Sequence, residues 1–272
     1  MTTTTARPVQ QRPAPGSVRR TAAALEYWLV QYRTVWRGTV VSGVLTPVLF
    51  LTAMGVGLGA LVDDAGRLGG EYLLFLAPGL MAATAMQTAE FESTYPVMGG
   101  IKWIRTYHAM LATPLGVADI LLGHLLFVAL RVLSVASIYL LVIALFGAAP
   151  SWLALAAVPA ALLTGMAFSA PIFAFSAGNE NDAGFAALER FVIVPLFLFS
   201  GTFFPVSQLP DAIEWVAYVT PLWHGVELCR GLVLGTAELG VSVAHVGYLT
   251  VCTVVGVAAA YETFRRRLEK TG

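Results

Sequence analysis

Few side chains in this chain could make or break bonds, and their spacing assembles no reactive centre. His108, His124, His224 and His245 stand singly, without the His-Glu-x-x-His spacing that holds zinc. Cys229 and Cys252 lack metal-ligand spacing and read as small apolar fillers. No glycine-rich loop ending in Lys-Ser or Lys-Thr is present to cradle phosphates, and no Gly-x-Ser-x-Gly turn to raise a nucleophile. No serine, histidine and carboxylate can be set at one depth. The expectation is a non-catalytic chain with no metal or cofactor of its own.

The charges that remain are informative by position. Arg131 falls within a long apolar run, where an uncompensated guanidinium costs about 2.5–3.5 kcal/mol at mid-bilayer. Two explanations stand side by side. Arg131 can snorkel or pair within the protein, or it faces a wet cleft and holds an anionic cargo headgroup. In the second case His124, two helical turns earlier on nearly the same face, and Asp119 would extend a polar track.

The elements that must position these residues are membrane spans. Hydrophobic residues make up 57% and charged residues 12% of the 272 residues, against roughly 25% charged in a soluble domain. Mean hydropathy is +0.75. The fold class is therefore an all-α polytopic membrane protein. Residues 1–22, rich in Thr, Arg, Pro and Gln, read as a disordered tail. Residues 24–37 carry the stripe Leu25, Trp28, Leu29, Tyr32, Val35 and Trp36, the pattern of a helix lying in the headgroup layer. Six spans follow, at about 41–61, 72–91, 117–146, 152–175, 185–204 and 242–262, and a basic tail occupies 265–272. Twelve basic residues flank the spans on the side of the termini and two, Arg67 and Arg230, on the other, which puts both termini in the cytosol.

Two stretches between spans are more than connections. The first, ESTYPVMGGIKWIRTYHAMLAT over 92–113, predicts a helix from Ile101 with Ile101, Ile104, His108 and Leu111 on one face and Lys102 and Arg105 on another. It reads either as a surface built to touch a partner or as an interfacial helix anchored by Trp103 and Tyr107. The second, 201–235, divides at Pro221 into two short helical patterns, started by Pro210 and by the Thr220–Pro221 pair. Leu222, Val226, Cys229 and Val233 line one side of the latter; Glu227 and Arg230 can pair on the other, worth little if exposed. Neither pattern is long enough to cross, so a re-entrant hairpin is predicted, gripped at the interface by Trp215, Tyr218 and Trp223. A plain outer loop is the rival.

The order of elements resembles the membrane subunit of type-2 ABC exporters, and most nearly the branch of the nodulation-factor (lipo-chitooligosaccharide) and daunorubicin exporter permeases. The likeness rests on FESTYPVMGGIKWIRTYHAMLATPL (91–115), Asp119 and Gly123, FLFSGTFFPVSQLP (197–210) and TPLWHGVELCRGLVLG (220–235), and covers about 24–264. It implies that 92–113 holds a coupling helix docking on a separate ATPase subunit, with Lys102, Trp103, Arg105, Thr106 and Tyr107 transmitting its closure. It also implies two permeases with two ATPases, ATP and Mg held by the partner, and an amphipathic cargo: a lipid-linked or glycolipid-like molecule, or a hydrophobic drug. Membrane lipids are expected neighbours; nucleic acid is not. The plasma (inner) membrane is the expected location. A transporter or flippase driven by an ion gradient is the alternative, and a separate chain with a phosphate loop discriminates between them.

Overall fold

Apolar runs of this length must close their backbone hydrogen bonds within the segment. The computed structural model of the chain, which describes residues 16–58 and 72–269, is helical nearly throughout. Helix α1 (Ser17–Phe50) continues into a π-helical stretch, Leu51–Leu58. Then come α2 (Tyr72–Ser93), α3 (Tyr95–Met98) with the π-helical turn Gly99–Trp103, and α4 (Thr106–Leu111). After α5 (Val117–Leu145), a 3-10 turn at Trp152–Ala156 leads into α6 (Ala157–Gly178). Helix α7 (Ala183–Leu188) passes through the π-helical turn Glu189–Ile193 into α8 (Val194–Phe199). The chain closes with α9 (Asp211–Val219), α10 (Pro221–Leu234) and α11 (Leu239–Glu269).

Five helices among the described residues are long and apolar enough to cross a membrane: Ser17–Met54, Tyr72–Trp103, Val117–Leu145, Trp152–Gly178 and Leu239–Glu269. Helices α2 and α6 hold the middle. Helix α6 packs against α11, α2, α5 and α10, and α2 against α5, α6 and α10, whereas α1 rests chiefly on α5. The apolar window of α2 is accordingly 67% buried and that of α1 only 12%. A close approach joins α6 and α11: a Cβ on Gly256 would stand 2.6 Å from Cδ of Pro171, so only glycine fits there.

The observed boundaries differ from several of those expected. The interfacial helix and the first span are one uninterrupted helix, which starts at Ser17, inside the segment expected to be disordered. Gly38, placed where a break was expected, costs a helix only about 1 kcal/mol against alanine, too little to stop one that is otherwise continuous. The basic tail is helical through Glu269, carried on by intrahelical pairs of Glu262 with Arg265 and Arg266. The expected fifth span is helical over 183–199 and then bends over 200–204. At the usual rise its helical part is roughly 25 Å, against a hydrocarbon core of about 30 Å, so a crossing here would use the bent residues 200–204 as well. The expected ranges 1–15, 59–71 and 270–272, including Arg67 and Lys270, lie outside the described residues.

Candidate functional site

The island after α2 is built from breakers. Thr94 leaves the helical region (φ −99°, ψ −92°), Pro96 starts α3, and the wider π turn carries the chain to Trp103. Arg105 then adopts φ 57°, ψ 31°, the left-handed region that a non-glycine residue enters at a cost of order 1–3 kcal/mol. This joint corrects the single helix predicted from Ile101. Ile101 points into the core while Ile104 is 70% and Trp103 56% exposed, so the predicted apolar face is split.

The same joint divides the residues expected to couple to a partner. Trp103 and Arg105, with Ile104 between them, form an exposed tip. Thr106 and Tyr107 turn inward, and Tyr107 is fully buried, so it offers a partner no surface here. Its work is to anchor the tip. Its hydroxyl is 2.7 Å from Nδ1 of His124 on α5, its ring lies 5.4 Å from Phe264 on α11, and Trp28 of α1 stacks on His124 at 3.8 Å. Gly100 permits this, because a Cβ there would sit 2.6 Å from the Tyr107 ring.

Lys102 is engaged from outside the island. Its ammonium donates to the Glu180 carbonyl and, at 3.2 Å, to the Glu180 carboxylate in the loop between α6 and α7; Arg267 near the end of α11 donates to the other carboxylate oxygen. Arg267, then Lys102, lower the pKa of Glu180 from 4.5 to about 2.

The expected polar track is not continuous. Asp119 accepts from Arg20 at 2.8 Å and from the Gly116 N–H at 2.9 Å, capping the start of α5. His124 is committed to Tyr107. Arg131 pairs with Glu92 at 2.9 Å, donates to the Tyr32 hydroxyl at 2.8 Å and lies over that ring. Arg131 and Glu92 nevertheless border recesses of about 300 Å³ and 370 Å³, walled also by Thr39, Gln87, Thr88 and Phe91 between α1, α2 and α5.

At the other paired element, Thr220 caps α10 by accepting the Trp223 N–H at 3.4 Å, with Pro221 in the first turn and Pro210 immediately before α9. Leu222, Val226, Cys229 and Val233 are buried as the spacing required. On α9, Trp215 is exposed, and the Tyr218 hydroxyl donates to Glu214 at 2.8 Å while its ring meets Trp223 edge-on. Two features escaped the sequence. Arg230 is buried: besides Glu227 it donates to the carbonyls of Gly201 (2.7 Å) and Phe75 (3.3 Å) and lies 3.8 Å over the Phe75 ring. His224 and His245, 21 residues apart, share a hydrogen bond across 2.8 Å between α10 and α11. Only the unusual sight of a charge three residues from its partner on an otherwise apolar helix face signalled the first; nothing signalled the second.

Membrane-length helices wrapped around a buried middle, with an anchored tip at one connection and a helix pair at another, define a polytopic membrane protein. The chain belongs to the ABC-2 type transporter family, whose model matches residues 24–234, and is the non-catalytic permease subunit of an ABC exporter. It is similar to Nodulation protein J of Rhizobium leguminosarum bv. viciae, 34% identical over 250 residues that cover 89% of this chain and 95% of the relative. Nodulation protein J of Bradyrhizobium diazoefficiens is 33% identical over 240 residues, covering 87% and 89%. That of Rhizobium meliloti is 32% identical over 250 residues, covering 89% and 94%.

Proposed function

We propose that this permease works as one of two copies, each bearing a separate ATPase on the tip formed by Trp103, Ile104 and Arg105. The cargo is an amphipathic molecule, lipid-linked or glycolipid-like, moved outward across the plasma membrane, with both termini cytosolic. The stretch 183–204 completes six spans, and α9 and α10 form the re-entrant outer pair. The observation that carries this reading is the tip itself. It presents a tryptophan and an arginine, types enriched among the residues that dominate binding energy at interfaces, with an exposed isoleucine between them, on strained backbone held from behind by buried Tyr107. A push on such a tip is passed to α1, α5 and α11 instead of being absorbed by a loose loop. The cargo class is supported by the likeness to nodulation proteins and to the lipo-chitooligosaccharide branch.

Co-expression with a candidate partner ATPase tests the docking. Replacing Trp103 with alanine and Arg105 with glutamate is expected to lower copurification of the ATPase at least tenfold and to abolish cargo-stimulated hydrolysis, with the permease still inserted. Unchanged copurification and stimulation would overturn it.

A further inference from the structure

Helix α11 is tied by polar contacts at each of its two ends to one of the two connecting structures. At one end Arg267 shares the Glu180 carboxylate with Lys102 of the island. At the other, His245 hydrogen-bonds His224 of α10, the His224 ring stacks on Tyr248 at 3.9 Å, and the Tyr248 hydroxyl donates to the Val219 carbonyl at the end of α9. His245 and Arg267 are separated by roughly 33 Å of continuous helix at 1.5 Å per residue.

We propose that α11 is the rod that carries displacement of the docking tip to the outer helix pair, and that Glu180 is the positioning residue that clasps the rod to the island. The inference rests on the docking reading above. Three further observations shape it. The apolar window of α11 is only 22% buried, so the helix can tilt as a unit without breaking the buried middle. Its main contact is α6, closed tightly at Gly256 and Pro171, and that contact gives the tilt a fixed pivot; Glu180 lies two residues past the end of α6. The clasp is also the wrong kind of contact for stability. Glu180 is 71% exposed, and exposed ion pairs contribute little to folding. One carboxylate joining two cations on different elements instead fixes their relative position while remaining easy to remake.

The test uses the purified permease–ATPase complex in nanodiscs. Cys229 and Cys252 are replaced by alanine, and spin labels are placed at Leu145→Cys on the end of α5 and Leu239→Cys at the start of α11, both exposed. Addition of Mg with a non-hydrolysable ATP analogue is expected to shift the label distance by several Å. Arg267→Gln and Glu180→Ala should cut that shift to less than a third while the ATPase still copurifies and hydrolyses ATP, and Arg267→Lys should restore most of it. A full shift in both Arg267→Gln and Glu180→Ala, or no shift in the unmodified pair while the ATPase is bound, overturns the rod and leaves docking standing. Failure of the unmodified permease to retain any ATPase removes the docking reading and the rod with it.

Discussion

Burial of Arg131 is compensated within the chain. With Glu92 at 2.9 Å and the Tyr32 hydroxyl at 2.8 Å, the guanidinium does not stand as a bare charge awaiting an anion. A buried pair of this kind is costly to halve: removing one partner strands the other, typically at about 3–5 kcal/mol, whereas removing both is close to neutral. Arg131→Gln is therefore expected to lower the thermal midpoint of the purified permease by several degrees, and Arg131→Gln combined with Glu92→Gln to recover most of the loss. A double variant as unstable as the single one would show that Arg131 is held by other contacts. Glu180 behaves differently. Its pKa is lowered in the folded protein, so its contribution is fully present above its ordinary value near 4.5 and fades as pH falls toward about 2. The clasp should thus be insensitive to pH between 6 and 8 but weakened by salt, since screening shortens from about 10 Å at 0.1 M to about 3 Å at 1 M. The label distance defined above, followed across both ranges, checks this.

At the scale of elements, what could be read from the chain was what periodicity and length determine. The length of α5, the apolar face of α10 and the proline-started pair at 210 and 221 follow from hydropathy and spacing, because a buried stripe must repeat with the helix. What could not be read was where a helix continues or breaks against its local signals. The gap between the helical pattern ending at 37 and the span expected from about 41 suggested a break that the continuous helix overrides, and Arg105 breaks a helix that its sequence favours. Pairings across elements were equally invisible: Arg131 with Glu92, His224 with His245 and Glu180 with Lys102 depend on which helices meet, and no local pattern encodes that. Gly256 marks one such meeting. Valine at 256 would drive its side chain into Pro171, and overpacking of this sort costs about 1–3 kcal/mol. Gly247, on the same helix, has open space at its Cβ. Gly256→Val should lower the thermal midpoint by several degrees while Gly247→Val leaves it within a degree or so; equal effects would mean that helix propensity, not the α6–α11 contact, is being measured.

For the whole molecule, exposed apolar surface says little about assembly, because lipid tails cover it as well as another protein does. The recesses beside α2 say more. Gln87 is exposed on the apolar stretch of α2, and with Thr39, Thr88 and the Glu92–Arg131 pair it lines an opening at the side of the body between α1, α2 and α5. Polar groups at membrane depth need protein or water over them. On the two-copy reading proposed above, a second copy facing the same opening would supply both at once: it would wall off lipid and double the recess into a wet cleft, with room for the polar head of an amphipathic cargo whose tail stays in the bilayer. The complex should then contain the 28.9 kDa permease in two copies, read directly by native mass spectrometry. In a background lacking Cys229 and Cys252, oxidation of Gln87→Cys in intact membranes should yield a permease dimer on a non-reducing gel, protected by cargo. Val255→Cys, on the exposed apolar face of α11, should yield none. Dimer formation at Val255 but not at Gln87 would move the contact to the other face and leave the recess open to lipid, where its charged lining would have no physical reason to persist.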